Sequence, residues 1–348
     1  MDKKLMETKN ICFITSASLE NYGGGEKWLI AIANSLQQHG YNVTVYGLNS
    51  RYRRRVSIEK IRKEISFKYE ELEIRNRFLP IMAKRIPDNK FDVIYVMSGY
   101  YFHIKQALRM RGKKIYGGHD PSMINPNSFM KLRILKALFP KFDSIHIISE
   151  VEKKWKEYNG NLILLENTYF GHTENFREKT DDFTAIFYGR HEKIKGTDTI
   201  KYIINNLDSS ITLVIAGSGT DTQDIQTERK NIKFLDFIND EELYSIIRRG
   251  HVVIFPSYKE VSPLVAYEAL GNYTPLIYRN TDFNYFLRTV ELCFQADDDK
   301  DFLDGLNFMF NLFKEERKKY NLSCSELPKH LVTLEKYIVR FMEMIDEN

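Results

Sequence analysis

A run of four apolar residues, Val252-Val253-Ile254-Phe255, stops at Pro256. A loop with one carboxylate, Glu260, then leads into a helical stretch carrying a second, Glu268. The β-branched content and short length of the run suit a core parallel strand, and Pro263 suits the first turn of the following helix. Such a unit belongs in an open α/β sheet, where ligands bind at the carboxyl edge of the strands. There the first-turn amides of a helix can hold a phosphate. Glu260 and Glu268 stand in the spacing Glu-x7-Glu. Taken alone, that spacing describes a solvated helix face equally well.

Upstream, Phe187-Tyr188-Gly189-Arg190-His191-Glu192-Lys193-Ile194-Lys195-Gly196 repeats the logic, with the β-rich run 184–188 ending in glycine and then two separated cations. Arg190 offers a planar fork and Lys195 a point charge, which suits a diphosphate as its leaving group gains negative charge. Gly189 and Gly196 permit close backbone approach.

The first half opens with a βαβ pattern. Residues 11–15 form an apolar strand, 16–25 a polar glycine-rich loop, 26–38 an amphipathic helix closed by Gly40, and 43–46 the next strand. Gly23-Gly24-Gly25-Glu26 at the helix start suits an anion, or simply a flexible loop needing unusual backbone angles. It lacks the spacing of the dinucleotide fingerprint, which disfavours a dehydrogenase. Further on, Ile115-Tyr116-Gly117-Gly118 ends in His119. A lone histidine after a strand also fits an ordinary structural residue.

Together these elements resemble the retaining glycosyltransferases of family four, over most of the chain. Further matches are Leu213-Val214-Ile215-Ala216-Gly217-Ser218-Gly219, Asn231 to Asp236, Thr274-Pro275-Leu276-Ile277, Phe142 to Ser149, and Leu164 to Thr168. The resemblance implies an α/β GT-B fold, two Rossmann-like domains with parallel sheets facing across a cleft. It implies a nucleoside diphosphate sugar as donor substrate, with no further cofactor and no metal. Catalytic roles fall to Glu260, His119, Arg190 and Lys195. Donor binding falls to Gly24, Gly25 and Glu26 in the first loop, to Gly189, Arg190, Lys195 and Gly217, and to Val261, Ser262, Leu264 and Glu268. Glu268 is expected on the ribose hydroxyls, while Glu260 and His119 face the transferred sugar.

The chain also departs from the family pattern. Glu260 is followed by Val261-Ser262-Pro263 where glycines are usual, and Pro263 has no amide to donate. Thr168 and Gly271-Asn272-Tyr273 also replace the common residues. A non-catalytic binding subunit, a nucleotide-sugar epimerase and a phosphorylase remain alternatives to a hexosyl-type transferase.

At 348 residues the chain suits two domains of about 170 each. The first is expected over 1–170 with the helix 331–348 added, and the second over 171–330, with a boundary in the polar stretch 169–182. The three cysteines, Cys12, Cys293 and Cys324, have no metal-ligand spacing. No apolar run is long enough to span a bilayer and no signal-type segment follows Met1, so the expected location is cytoplasmic. The net charge is only +4, but Arg51, Arg53-Arg54-Arg55, Lys60, Arg62, Lys63, Lys105, Arg109, Arg111, Lys113, Lys114, Lys131, Arg133 and Lys136 all lie in the first half. This suits peripheral contact with an anionic membrane or an ordinary solvated face. The resemblance points to a glycan or lipid-linked acceptor, as in surface polysaccharide, glycolipid or protein-glycan assembly. Nothing resembles a nucleic-acid module.

Overall fold

A computed structural model of the chain describes residues 8–48, 56–72, 86, 90–97, 100–119, 123, 129–236 and 238–347. The run Arg51 to Arg55 lies outside the described residues. The chain divides into two compact units, Met1–Glu166 with Leu334–Asn348, and Asn167–Thr333.

In the first unit, strands β1 (Asn10–Thr15), β2 (Asn42–Leu48), β3 (Lys68–Leu72), β4 (Val93–Met97), β5 (Lys113–Gly117), β6 (Ser144–Ile147) and β7 (Leu162–Leu164) form one sheet in the order β3-β2-β1-β4-β5-β6-β7. Every pairing in it is parallel. Helices α1 (Gly24–Gln38), α2 (Ile58–Glu64), α3 (Tyr101–Ala107) and α4 (Phe129–Leu138) lie in the connections, because parallel neighbours need crossovers. Strands β1 and β4 are fully apolar in their middles and buried, as central strands covered on both faces must be. α1 buries Trp28, Leu29, Ile32, Ala33 and Leu36, one stripe at helical spacing. It ends at His39, with Gly40 at φ +90°, a left-handed position that glycine takes without strain.

In the second unit, strands β8 (Thr184–Tyr188), β9 (Thr212–Ala216), β10 (Ile232–Leu235), β11 (Val252–Phe255), β12 (Leu276–Arg279) and β13 (Phe294–Ala296) take the order β10-β9-β8-β11-β12-β13, again parallel. Its helices are α5 (Thr197–Asn206), α6 (Asp240–Arg249), α7 (Leu264–Gly271), α8 (Asp299–Glu315) and α9 (Arg317–Glu326). The stretch 169–182 lies within this unit, where Tyr169 and Lys179 are buried. The Lys179 ammonium donates to the Arg248 carbonyl and the Thr274 hydroxyl, both at 2.9 Å, and so satisfies its buried charge.

Helix α10 (Leu334–Asp346) belongs to the first unit. It buries Tyr337, Ile338, Phe341, Met344 and Ile345. Leu331 precedes it and packs against the core of the second unit. Lys113, one of the basic residues of the first half, donates from Nζ to the Met344 carbonyl at 2.8 Å. It thus caps the carbonyl end of α10 instead of standing as a free surface charge.

Candidate active site

The second unit reverses strand order between β8 and β11, which are hydrogen-bonded neighbours. The loops leaving these two strands carry Gly189, Arg190 and Lys195 on one side and Glu260 to Leu264 on the other. This is the topological switch point at which doubly wound sheets bind ligands. Three glycines shape it, with Gly189, Gly196 and Gly217 at φ +132°, +81° and +114°. A Cβ on Gly217 would lie 2.1 Å from the Gly189 carbonyl oxygen, and one on Gly196 would lie 2.5 Å from that of Pro256. Gly189 differs, since a Cβ there would meet nothing within 4 Å. The backbone therefore packs below Gly189 and leaves open space beside it.

Lys195 sits in a short turn over 193–195 and forms an ion pair with Glu260. The Tyr258 amide donates to the Ile194 carbonyl at 3.0 Å, tying the loop after β11 to that turn. Arg190 pairs with Glu192 at 2.8 Å. Pro263 is the residue immediately before α7 and caps it with an extended backbone (φ −73°, ψ 114°), one place earlier than the first-turn position expected. Among the described residues nothing accepts from the amides of Val261, Ser262, Leu264 and Val265. Unpaired donors at a helix start beside a lysine make an anion-binding edge. Gly217 serves this edge by close packing, as its clash distance to Gly189 indicates.

Glu268 lies one turn into α7 and is buried. Tyr188, the last residue of β8, donates from its hydroxyl to Glu268 Oε2 at 3.0 Å, with the Val265 carbonyl at 3.1 Å as an alternative acceptor. Burial, and then the neighbouring Glu268 carboxylate, push the Tyr188 phenol well above its ordinary range, so it remains a donor.

The first unit carries the rest of the candidate residues. Gly23 precedes α1, and Glu26 Oε2 accepts from the Gly23 amide at 2.9 Å, a reach-back that closes the helix start. Glu26 is therefore engaged in capping, a use not anticipated from the sequence. A Cβ on Gly25 would meet nothing within 4 Å, and the amides of Gly24 and Gly25 find no acceptor among the described residues.

His119 follows β5 and is partly accessible. Its ring packs against Trp28 at a tilt of 46° with centroids 4.1 Å apart, and the Trp28 indole donates to the Tyr337 hydroxyl at 2.9 Å. His119 Nε2 lies 3.1 Å from the Tyr95 hydroxyl, which lies 2.6 Å from His146 Nδ1. Burial depresses the His119 imidazole well below its ordinary range, helped by the nearby His146, so the ring is neutral. The two glycines before it have no room for a side chain. A Cβ on Gly117 would lie 2.3 Å from the Tyr95 hydroxyl, and one on Gly118 2.2 Å from Glu152 Oε1.

The model of the family described as Glycosyl transferases group 1 matches residues 172–319, and that of Glycosyltransferase Family 4 matches residues 22–156. The chain belongs to the family-four, group-1 glycosyltransferases. Among curated relatives of this glycosyltransferase-family chain, an uncharacterised glycosyltransferase of Methanocaldococcus jannaschii is 29% identical over 147 residues, 39% of this chain and 36% of that one. An uncharacterised 41.2 kDa protein in the cps region of Klebsiella pneumoniae is 25% identical over 226 residues, 58% of this chain and 63% of that one. The chain thus spans about a third and somewhat under two thirds of the curated relatives it matches. Among solved structures, Anabaena HepE in complex with UDP and glucose superposes with a TM-score of 0.74 at 14% identity, covering 98% of this chain and 100% of that one. That likeness is one of fold, GT-B with its two Rossmann-like domains.

Each expected residue can be placed within its own unit. Gly189, Arg190, Lys195, Gly217, Glu260, Val261, Ser262, Leu264 and Glu268 converge on the carboxyl edge of β8, β9 and β11, while Gly24, Gly25, Glu26 and His119 occupy the carboxyl edge of β1 and β5. Sequence reasoning missed Tyr188 behind Glu268, and Tyr95 and His146 behind His119. Tyrosine in a strand reads as a β former, and nothing in its spacing says where the hydroxyl goes.

Proposed function

We propose that the chain is a retaining glycosyltransferase, moving a sugar from a nucleoside diphosphate sugar to a glycan or lipid-linked acceptor. The observation that carries this reading is the Lys195–Glu260 pair set against the unpaired amides at the start of α7. A diphosphate arriving there takes Lys195 as counter-ion, together with Arg190 and the amides of Val261, Ser262 and Leu264. Glu260 is released from Lys195 and accepts hydrogen bonds from hydroxyls of the transferred sugar. Glu268 accepts from the ribose hydroxyls. Departure of the nucleoside diphosphate places new negative charge against the two cations, and that charge stabilisation lowers the barrier without a metal or a protein nucleophile. The leaving phosphate takes the acceptor's proton, and attack on the face of departure retains the anomeric configuration.

Gly24 and Gly25 offer further amides to anionic oxygens, and His119 orients the sugar. The exposed cations Lys60, Arg62, Lys63, Lys105, Arg109, Arg133 and Lys136 support peripheral docking on an anionic surface carrying a lipid-linked acceptor. Among the described residues no helix is long and apolar enough to cross a membrane. The cps-region relative supports a polysaccharide setting, and the UDP held by the structural neighbour supports a uridine donor as the first to try.

The deciding experiment is thermal stabilisation by a panel of nucleoside diphosphates and their sugars. A ligand at a hundred times its Kd adds about 2.7 kcal/mol. A shift for one nucleotide that Glu268→Ala and Arg190→Ala both lose supports the site, and anomeric analysis of the product tests retention. No shift with any diphosphate would sink the transferase reading in favour of a non-catalytic binding subunit.

A further inference from the structure

Behind His119 runs a chain of hydrogen bonds that ends on a group whose role cannot change. His146 Nε2 lies 3.0 Å from the Leu165 carbonyl oxygen, which can only accept. His146 is fully buried and neutral, since burial holds its imidazole at about 4, so Nε2 carries the single ring proton and Nδ1 is a bare acceptor. The Tyr95 hydroxyl, 2.6 Å from that Nδ1, must give it its only proton. The Tyr95 oxygen then has lone pairs alone to offer His119 Nε2 at 3.1 Å, and the bond forms only if His119 Nε2 carries its proton. The opposite tautomer would set two lone pairs against each other, with the Tyr95 oxygen fully buried. An unsatisfied polar group in such a place costs about 1–3 kcal/mol.

The backbone is built to let this chain pass. Tyr95 is on β4, His146 on β6, and β5 runs between them with Gly117 paired opposite His146. A side chain at Gly117 would occupy the path of the phenol, since its Cβ would stand 2.3 Å from the Tyr95 oxygen. The missing side chain is what allows a tyrosine on one strand to reach a histidine two strands away.

We infer that Tyr95 and His146 are positioning residues that hold His119 with its proton on Nε2 and leave Nδ1 as a hydrogen-bond acceptor for a hydroxyl of the bound sugar. The part of this inference that names a sugar rests on the transferase reading, and the tautomer does not. Among the described residues His119 Nδ1 has no hydrogen-bond partner, and Trp28 packs against the ring at a tilt of 46°. A bare nitrogen selects a ligand group that can donate. It favours a hydroxyl over a ring oxygen or a carbonyl at that place on the sugar.

The test is long-range proton–nitrogen NMR on the full chain labelled with 15N-histidine, the His119 signals being assigned by their loss in His119→Gln. The expected spectrum shows a pyrrole-type Nε2 and a pyridine-type Nδ1 for His119. A protonated Nδ1 would overturn the inference on the wild-type protein alone, whether or not any variant folds. Tyr95→Phe should convert His119 to a mixture of tautomers, and an unchanged His119 spectrum in that variant would equally overturn it. With a donor that turns over, Tyr95→Phe should lower kcat/KM about tenfold, the scale of one lost hydrogen bond, and wild-type turnover would remove the positioning role. If no donor is turned over, the transferase reading fails and the spectra still decide the tautomer.

Discussion

Both sheets are parallel and doubly wound, yet their carboxyl edges are equipped differently. In the second unit the edge is lined with charge and open amides, with Lys195, Glu260 and Arg190 on loops closed by left-handed glycines. In the first unit the edge around His119 is made of rings, with Trp28, Tyr95 and His146 packed behind it and neutral hydrogen bonds passing between them. Under the proposed function the contrast is a division of labour. Charge that must respond to a leaving group needs mobile, half-exposed partners, whereas alignment of a neutral hydroxyl needs a rigid, dry support.

The largest effect that could break this contrast is on turnover. Replacing Lys195 by alanine should reduce kcat about 10²- to 10³-fold, the usual scale for removing a group that stabilises developing charge. His119→Gln should cost roughly tenfold, the scale of one hydrogen bond. Steady-state kinetics on the two variants with one donor checks the order. Equal losses would show that the first unit also bears on charge development, and the division would fall.

Stability offers the next comparison, through glycines that touch different kinds of neighbour. Gly217→Ala places a Cβ 2.1 Å from a backbone carbonyl at φ +114°, where neither atom can yield. Denaturant unfolding should show a loss of about 3 kcal/mol. Gly117→Ala meets instead the far end of Tyr95, which can swing aside by giving up its bonds to His119 and His146. A loss of about 2 kcal/mol is expected there, the cost of leaving buried partners unsatisfied. A larger loss at Gly117 than at Gly217 would mean that the ring cluster is the stiffer of the two edges.

These glycines also mark how far the sequence could be read. The apolar runs at β1, β8, β9 and β11, the stop at Pro256 and the paired motifs around Arg190 and Glu260 all express local periodicity and turn chemistry, and the strands and loops follow them directly. What sequence could not supply was anything decided across strands. Gly117 reads as a turn residue at the end of a strand, and its use is to let Tyr95 pass over β5 to His146. Glu26 reads as a ligand for an incoming group and is held by the Gly23 amide. Lys113 reads as one basic residue among many and caps a helix 231 residues away. Gly117 and Lys113 depend on partners whose distance along the chain carries no signal, whereas Glu26 meets a local partner at capping-box spacing.

Acid should also distinguish the histidine cluster. His146 titrates near 4 when folded against an ordinary 6.5. Below 6.5 the unfolded chain binds a proton there that the folded chain refuses, so stability is fully present above that pH and falls as the pH drops towards 4. The contribution is about 3 kcal/mol across the window. His103 and His251, both held near 4 mainly by burial, act in the same direction, while buried Glu152, pushed well above its ordinary range, acts in the opposite one. The difference in slope between the native chain and His146→Phe reports His146 together with its effect on the neighbouring His119. His146→Phe should be less stable at neutral pH and should lose less on acidification, measured by urea unfolding at a series of pH values. Parallel curves would show that His146 takes up its proton alike in the folded and unfolded chain, and the neutral character of the first unit's edge in acid would go with it.

The smallest expected effect on stability tests whether the first unit takes any part in holding an anion. Gly25 lies in the first turn of α1, where a Cβ would meet nothing within 4 Å, so alanine fits without strain. Alanine forms helix better than glycine by up to about 1 kcal/mol, so Gly25→Ala should leave unfolding unchanged or shift it slightly towards the folded state. The added methyl would nonetheless stand beside the open amides of Gly24 and Gly25 and keep an anionic oxygen from close approach. Donor affinity, read by the same thermal shift used for the nucleotide panel, should therefore fall while the unliganded protein is as stable as before. If affinity is unchanged, the glycines of that loop serve only the chain's own turn, and the whole of the diphosphate belongs to the charged edge beside Lys195.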